Sequence, residues 1–168
     1  MTEPGSGFER HFTATAYIVH AQRTLLLWHR GLRMWLPPGG HCEPNEDPVQ
    51  AVIREAREES GLAVRVIPPH GLPQFESPAV LPPPAVILVE DIVRDDQPFH
   101  QHIDHVYFTV AVAPVDFTAA VPHGPHEWVD RPVLESRFSL KAPDGSLVSV
   151  AEDVRLLGLQ ALDAALEL

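Results

Sequence analysis

The sequence predicts an α/β fold: an α/β/α sandwich built on a mixed β-sheet. Three observations lead there. Apolar, β-branched segments of strand length and two segments of helical period follow one another in mixed order. The eighteen prolines gather in the connections between those segments. A length of 168 residues suits one domain with a real core.

Residues 1–10 are expected to form a flexible N-terminal segment, and residues 11–168 a single domain. Thr13 to His20 and Thr24 to Trp28 read as strands joined by a short polar turn at Ala21-Gln22-Arg23. Met34 to Leu36 is a short strand before the glycine pair Gly39-Gly40. A helix follows over Pro48 to Ser60, with Asp47 as N-cap, Pro48 at the first helical position and Gly61 at the left-handed C-terminal position. Leu62 to Ile67, Ala85 to Val93, Ile103 to Val112 and Glu127 to Val129 complete the strands. The prolines from Pro78 to Pro84 read as a restrained loop, because strands resume at once. Ser149 to Glu152 has the form of a capping box opening a terminal helix.

Composition narrows the function classes. A net charge of −11 argues against binding a nucleic-acid backbone or an anionic membrane, since both would be repelled. The single cysteine, Cys42, cannot form an internal disulfide, and MTEPGSGFER carries no apolar signal core, so a cytoplasmic protein is expected. Cys42 reads as a small filler residue rather than a nucleophile, because no histidine stands at a recognisable spacing from it. Exposed sheet edges and the proline loop could form a homodimer, and a monomer is equally compatible with the pattern.

The helix carries the chemistry. At about 100° per residue, Val49, Val52, Ile53 and Ala56 form the expected buried stripe, and Glu55, Glu58 and Glu59 share another side, one turn beyond the small Ala51. An acidic helix face is commonly just solvated, with Arg54 and Glu58 as a surface ion pair. Two features argue otherwise here. Gly39-Gly40 interrupts an apolar run so that backbone can approach a ligand or ion closely, and Glu43 and Glu46 add two carboxylates in the loop. Carboxylates packed that closely repel unless a cation lies among them, so a metal site is expected.

The same residues resemble the Nudix box, G-x5-E-x7-R-E-U-x-E-E-x-G-U with U aliphatic. Gly40, Glu46, Arg54, Glu55, Ala56, Glu58, Glu59, Gly61 and Leu62 fill its defined positions in order, and Trp35, Pro38, Gly39 and Glu43 look like its usual entry. The resemblance implies the same sandwich and an Mg²⁺-dependent hydrolase, with Mn²⁺ as a substitute ion. Its substrate would be a small nucleoside diphosphate linked to another moiety, cut at a phosphoanhydride bond by activated water. It implies that Glu55, Glu58, Glu59 and the Gly40 carbonyl hold the metal, with Arg54, Glu55, Glu58 and Glu59 catalytic. Gly39, Glu43, Glu46 and Gly61 would support the box. The general base is either Glu55 or an acid outside the box, for which Glu76, Glu90 and Glu127 are available. The alternative is a non-catalytic nucleotide-ligand sensor on the same fold, although such proteins commonly lose box carboxylates and all are present here.

The run from His100 to His105 is the second cluster. In an extended strand His100, His102 and Asp104 point to one side and His105 to the other. That face could line a half-exposed strand, contact a substrate phosphate, or bind a transition metal. His102, Asp104 and Glu127 are the substrate-contact candidates. Trp28, Trp35, Phe75 and Tyr107 could stack on a base, though aromatic residues at such positions more often belong to a core.

Overall fold

In the computed structural model, residues 8–94 and 97–168 are described. The first strand, β1 (Glu9–His20), begins two residues ahead of the expected domain start, and the rest of the expected N-terminal segment lies outside the described residues except Phe8. β2 (Arg23–His29) follows through a two-residue turn in which Ala21 and Gln22 both have positive φ (44° and 57°). That geometry matches the twist of a tight hairpin. Next come β3 (Met34–Leu36), β4 (Gly39–His41) and α1 (Pro48–Ser60). β5 (Val64–Val66), β6 (Val86–Arg94), β7 (Gln97–Ala111) and β8 (His126–Asp130) complete one eight-stranded sheet. A short α2 (Arg131–Glu135), a separate hairpin of β9 (Ser139–Lys141) and β10 (Leu147–Ser149), and α3 (Glu152–Leu166) close the fold.

Two long strands organise the sheet. β1 and β7 run parallel from Glu9 opposite His100 to Val19 opposite Val110, and every other pairing is antiparallel. β1 pairs with β4 over Thr13 to Thr15 and with β2 at Val19 and His20. β7 likewise pairs with β6 over its first part and with β5 near its end.

Alternation along β1 builds both cores. Ala14, Ala16 and Ile18 face α1, whereas Tyr17 and Val19 face the layer formed by α2 and α3. Val52 and Ala56 of α1 pack on the first side; Leu134 of α2 and Val154 and Leu162 of α3 pack on the second. The helices therefore flank the mixed sheet as the sequence predicts. Trp28 and Trp35 are buried in edge-to-face contact at 5.3 Å, core residues rather than base-stacking groups. Among the described residues, no helix is long and apolar enough to cross a membrane.

Two expectations need correction. The buried stripe of α1 contains Ala51 and not Ile53, which is 40% exposed. Small alanines at 51 and 56 let the helix backbone lie close to the sheet, which rolls Ile53 to the rim and the acidic side toward β4. The second concerns α3, whose N-cap is Ala151 with no side-chain hydrogen bond. Ser149 instead ends β10, with its hydroxyl 3.1 Å from that of Ser139 on β9. Sheet pairing claims the residue that local pattern assigns to a cap. The α1 caps follow expectation: Asp47 accepts from the N–H groups of Val49 and Gln50, and Gly61, at φ 75°, donates to the Arg57 carbonyl.

Candidate active site

The site is assembled where β4 slides under the acidic side of α1. A Cβ on Gly39 would stand 2.8 Å from the carbonyl oxygen of Ala14 and from the Thr15 hydroxyl on β1. One on Gly40 would collide with the Glu55 carboxylate. At Gly39, where the obstacle is backbone, only glycine permits that approach. It lets the Gly39 N–H donate to Glu59 Oε2 at 3.0 Å. The other oxygen of Glu59 is 3.1 Å from His123 Nδ1, and the His123 N–H donates to the Glu59 carbonyl at 3.0 Å.

Arg54 organises the remaining carboxylates. Its Nε and one terminal nitrogen each donate to Glu46 at 2.9 Å, a two-pronged pair, and that nitrogen also donates to the His41 carbonyl. The other terminal nitrogen donates to Glu55 at 2.7 Å and to Glu58 at 3.1 Å. The hydrogen bonds from Arg54 hold the Glu46 carboxyl below its usual range, and those carboxylates raise the affinity of Arg54 for its own proton. Burial pushes Glu59 the other way, above the ordinary carboxylate range, with the charges of Glu55 and Glu58 adding to it. Three acids share one guanidinium, and the fourth leans on an amide and an imidazole.

Glu59 opens onto a cleft of about 370 Å³ on the sheet face opposite α1, lined also by Gly39, Gly40, His41, Glu90 and His123. His100, His102 and Asp104 form its β7 wall. Asp104 Oδ1 accepts from the hydroxyls of Thr13 and Thr15, its neighbours on β1, and burial raises its carboxyl above the usual range. Glu58 is 60% exposed, and Glu55 lies beneath Gly40.

A sequence model of the NUDIX domain matches residues 9–148. The chain belongs to the Nudix family. A NUDIX-family hydrolase from Clostridium perfringens is 27% identical in sequence, with a TM-score of 0.68 over 94% of this chain and 99% of that one. The Ap4A hydrolase of C. elegans shares the fold at a TM-score of 0.50 and 20% identity, over 95% of this chain and 98% of that one. The asymmetrical bis(5'-nucleosyl)-tetraphosphatase of Sus scrofa is 45% identical over 38 residues, which span 23% of this chain and 26% of that protein.

Within the Nudix box, Glu43 and Glu46 close the loop on themselves: the Glu43 N–H donates to Glu46 Oε2, and the Glu46 N–H to the Glu43 carbonyl. Gly61 ends the box helix in the left-handed conformation. Outside the box, Glu127 does not reach the cleft. β8 sits on the outer edge of β2, and Glu127 is exposed there. Of the three outside glutamates, Glu90, on β6, lines the cleft, and burial with the nearby charges of Asp104 and Asp153 raises it to about 6. Glu76, just ahead of the proline loop, is exposed. His11, His41 and His123 carry no local sequence signal, because each reaches its neighbours through pairings between distant segments.

Proposed function

We propose that this protein hydrolyses a phosphoanhydride bond in a nucleoside diphosphate linked to another moiety, using Mg²⁺ or, in its place, Mn²⁺. The observation that carries this reading is the folded box itself, in which Glu55 lies against Gly40 and Glu59 against Gly39 at a cleft large enough for a small ligand. The donor set fits the ion. Glu55, Glu58 and Glu59 with the Gly40 carbonyl offer hard oxygens only, the donors such an ion prefers. When bound there, such an ion neutralises phosphoryl oxygens and lowers the pKa of water.

The chain's own residues supply the rest. Arg54 pins Glu46 and Glu55, so the loop and helix keep one geometry as charge accumulates. Gly39 and His123 fix the two oxygens of Glu59. Water adds to one phosphorus, its P–O bond forming as the anhydride P–O bond breaks, and a carboxylate takes the proton. Glu55 or Glu90 serves as that base; Glu90, near 6, lies close to an operating pH where a base is effective. The names of the tetraphosphatase and Ap4A hydrolase relatives support a nucleotide-derived substrate.

The test is product release from nucleoside triphosphates, ADP-ribose and dinucleoside polyphosphates, with and without Mg²⁺ or Mn²⁺. Metal-dependent turnover of any of them, abolished in Glu59→Gln with the melting temperature kept, is the expected result. Tight binding without turnover would point to a ligand sensor instead, and near-normal activity in Glu59→Gln would overturn the role given to that residue.

A further inference from the structure

A cluster of histidines, of which His41 occupies an undefined position of the box loop and the others lie outside the box, stands beside the box carboxylates. The parallel register of β1 and β7 sets His11 directly opposite His102, and β4 brings His41 opposite Thr13, two residues further along the same face of β1. The rings crowd together: His41 and His102 are 4.9 Å apart between centroids, and His11 and His41 5.3 Å. One ring nitrogen from each of His11, His41 and His102 can be chosen so that all three lie within 4.8 Å of one another.

Their hydrogen bonding is incomplete in a telling way. His11 Nε2 meets the Glu9 carboxylate at 3.2 Å, which can only accept, so Nε2 carries the proton and Nδ1 is left with a bare lone pair in the neutral ring. That Nδ1 is buried with no partner, and so is His102 Nε2. Buried ring nitrogens without partners are uncommon, and a water or an ion is the usual partner for such a lone pair.

We propose that His11, His41 and His102 bind a divalent transition metal of the zinc class, at a site separate from the box carboxylates. Imidazole nitrogens favour zinc, cobalt or nickel, whereas Mg²⁺ seeks oxygen. Zn–N bonds of about 2.0–2.1 Å set tetrahedral ligands roughly 3.3 Å apart, which the exposed His41 ring reaches by rotation about its side-chain bonds. Glu9 then plays the outer-shell part, a carboxylate that fixes the tautomer and orientation of a ligating histidine. The His100 ring, whose Nδ1 donates to the Pro98 carbonyl at 3.0 Å, stands 4.9 Å from that of His11 and 5.1 Å from that of His102 between centroids, with its Nε2 left for a fourth bond. An ion here would pin β4, and so the start of the box, to both central strands, and set positive charge beside the cleft.

The probe is Co²⁺, titrated into the whole metal-free protein under saturating Mg²⁺ and followed by its visible absorption, with zinc-edge X-ray absorption on the zinc-loaded protein. One equivalent of Co²⁺ with tetrahedral-type bands and a zinc shell dominated by imidazole nitrogen are expected. His11→Gln should weaken Co²⁺ by more than the roughly 10–100-fold typical of losing an outer-shell partner, and Glu59→Gln should leave it unchanged. Absence of uptake under Mg²⁺, an oxygen-dominated shell, or binding lost in Glu59→Gln but kept in His11→Gln would each overturn the assignment. The first two readouts use the unaltered chain, so a variant that misfolds does not decide the question.

Discussion

His123 Nδ1 stands 3.1 Å from Glu59 Oε1, so a loop just before the last strand of the sheet holds one oxygen of a box carboxylate. The backbone of His123 is separately bonded to the Glu59 carbonyl, so its side chain can be changed without releasing the loop. For a partly exposed pair the interaction is worth about 1 kcal/mol, or roughly fivefold in rate. His123→Gln is expected to lower metal-dependent kcat/KM by up to about that factor and stability by no more than about 1 kcal/mol. Equal kinetics in the two proteins would remove His123 from the site.

Arg54 serves Glu46, Glu55 and Glu58 at once, with its side chain 22% exposed. Lysine keeps the charge but has no planar fork, so Arg54→Lys cannot reproduce the two-pronged bond to Glu46 and the contact with Glu55 together. Breaking such a partly buried network should cost about 2 kcal/mol, read from urea unfolding without divalent ions. A loss within about 0.5 kcal/mol, the range of ordinary surface changes, would show that the guanidinium geometry is dispensable.

Glu90 titrates near 6 in the folded protein against an ordinary 4.5, because burial and the charges of Asp104 and Asp153 disfavour its ionised form. The groups facing it are those two acids, from β7 and α3, with His102 opposite in register on β7. A raised folded value means the native state holds the proton more tightly, so this contribution is complete below about 4.5 and is lost as pH rises through about 6. Glu90→Gln should therefore gain stability relative to the parent protein across that window and stay ahead above it. Melting temperatures measured from pH 4.5 to 8 check this, and parallel curves would contradict it.

Ala51 and Ile53 exchange the roles that their hydrophobicity suggests. Ala51 is fully buried against the sheet, whereas Ile53 sits on the rim. Ala51→Leu should cost about 1–3 kcal/mol by overpacking, and Ile53→Ala less than about 1 kcal/mol. Chemical denaturation of both variants measures this, and the reverse ranking would mean that α1 is rolled differently.

Much of the box was legible because its signals are local. Asp47, Pro48 and Gly61 delimit α1 through bonds that span four residues or fewer, and the gaps between Arg54, Glu55, Glu58 and Glu59 are enough to place them on one helix side. The register of β1 against β7 was not legible, because it depends on which faces two distant strands bury. Hence the local pattern carries no signal at His11, offers Ser149 as a cap and does not separate Glu127 from Glu90, whereas the strand pairings put β8 at the edge and β6 at the cleft.

The sequence alone determined the α/β class, the limits of the box helix and the acids on its chemical side, since helical period and capping act over one or two turns. Only the tertiary structure decided which oxygen of Glu59 meets His123, which of the outside glutamates lines the cleft, and that three histidines from three strands face one another. Those contacts join segments far apart in the chain, and their geometry exists only once the sheet has chosen its pairings and buried its two faces.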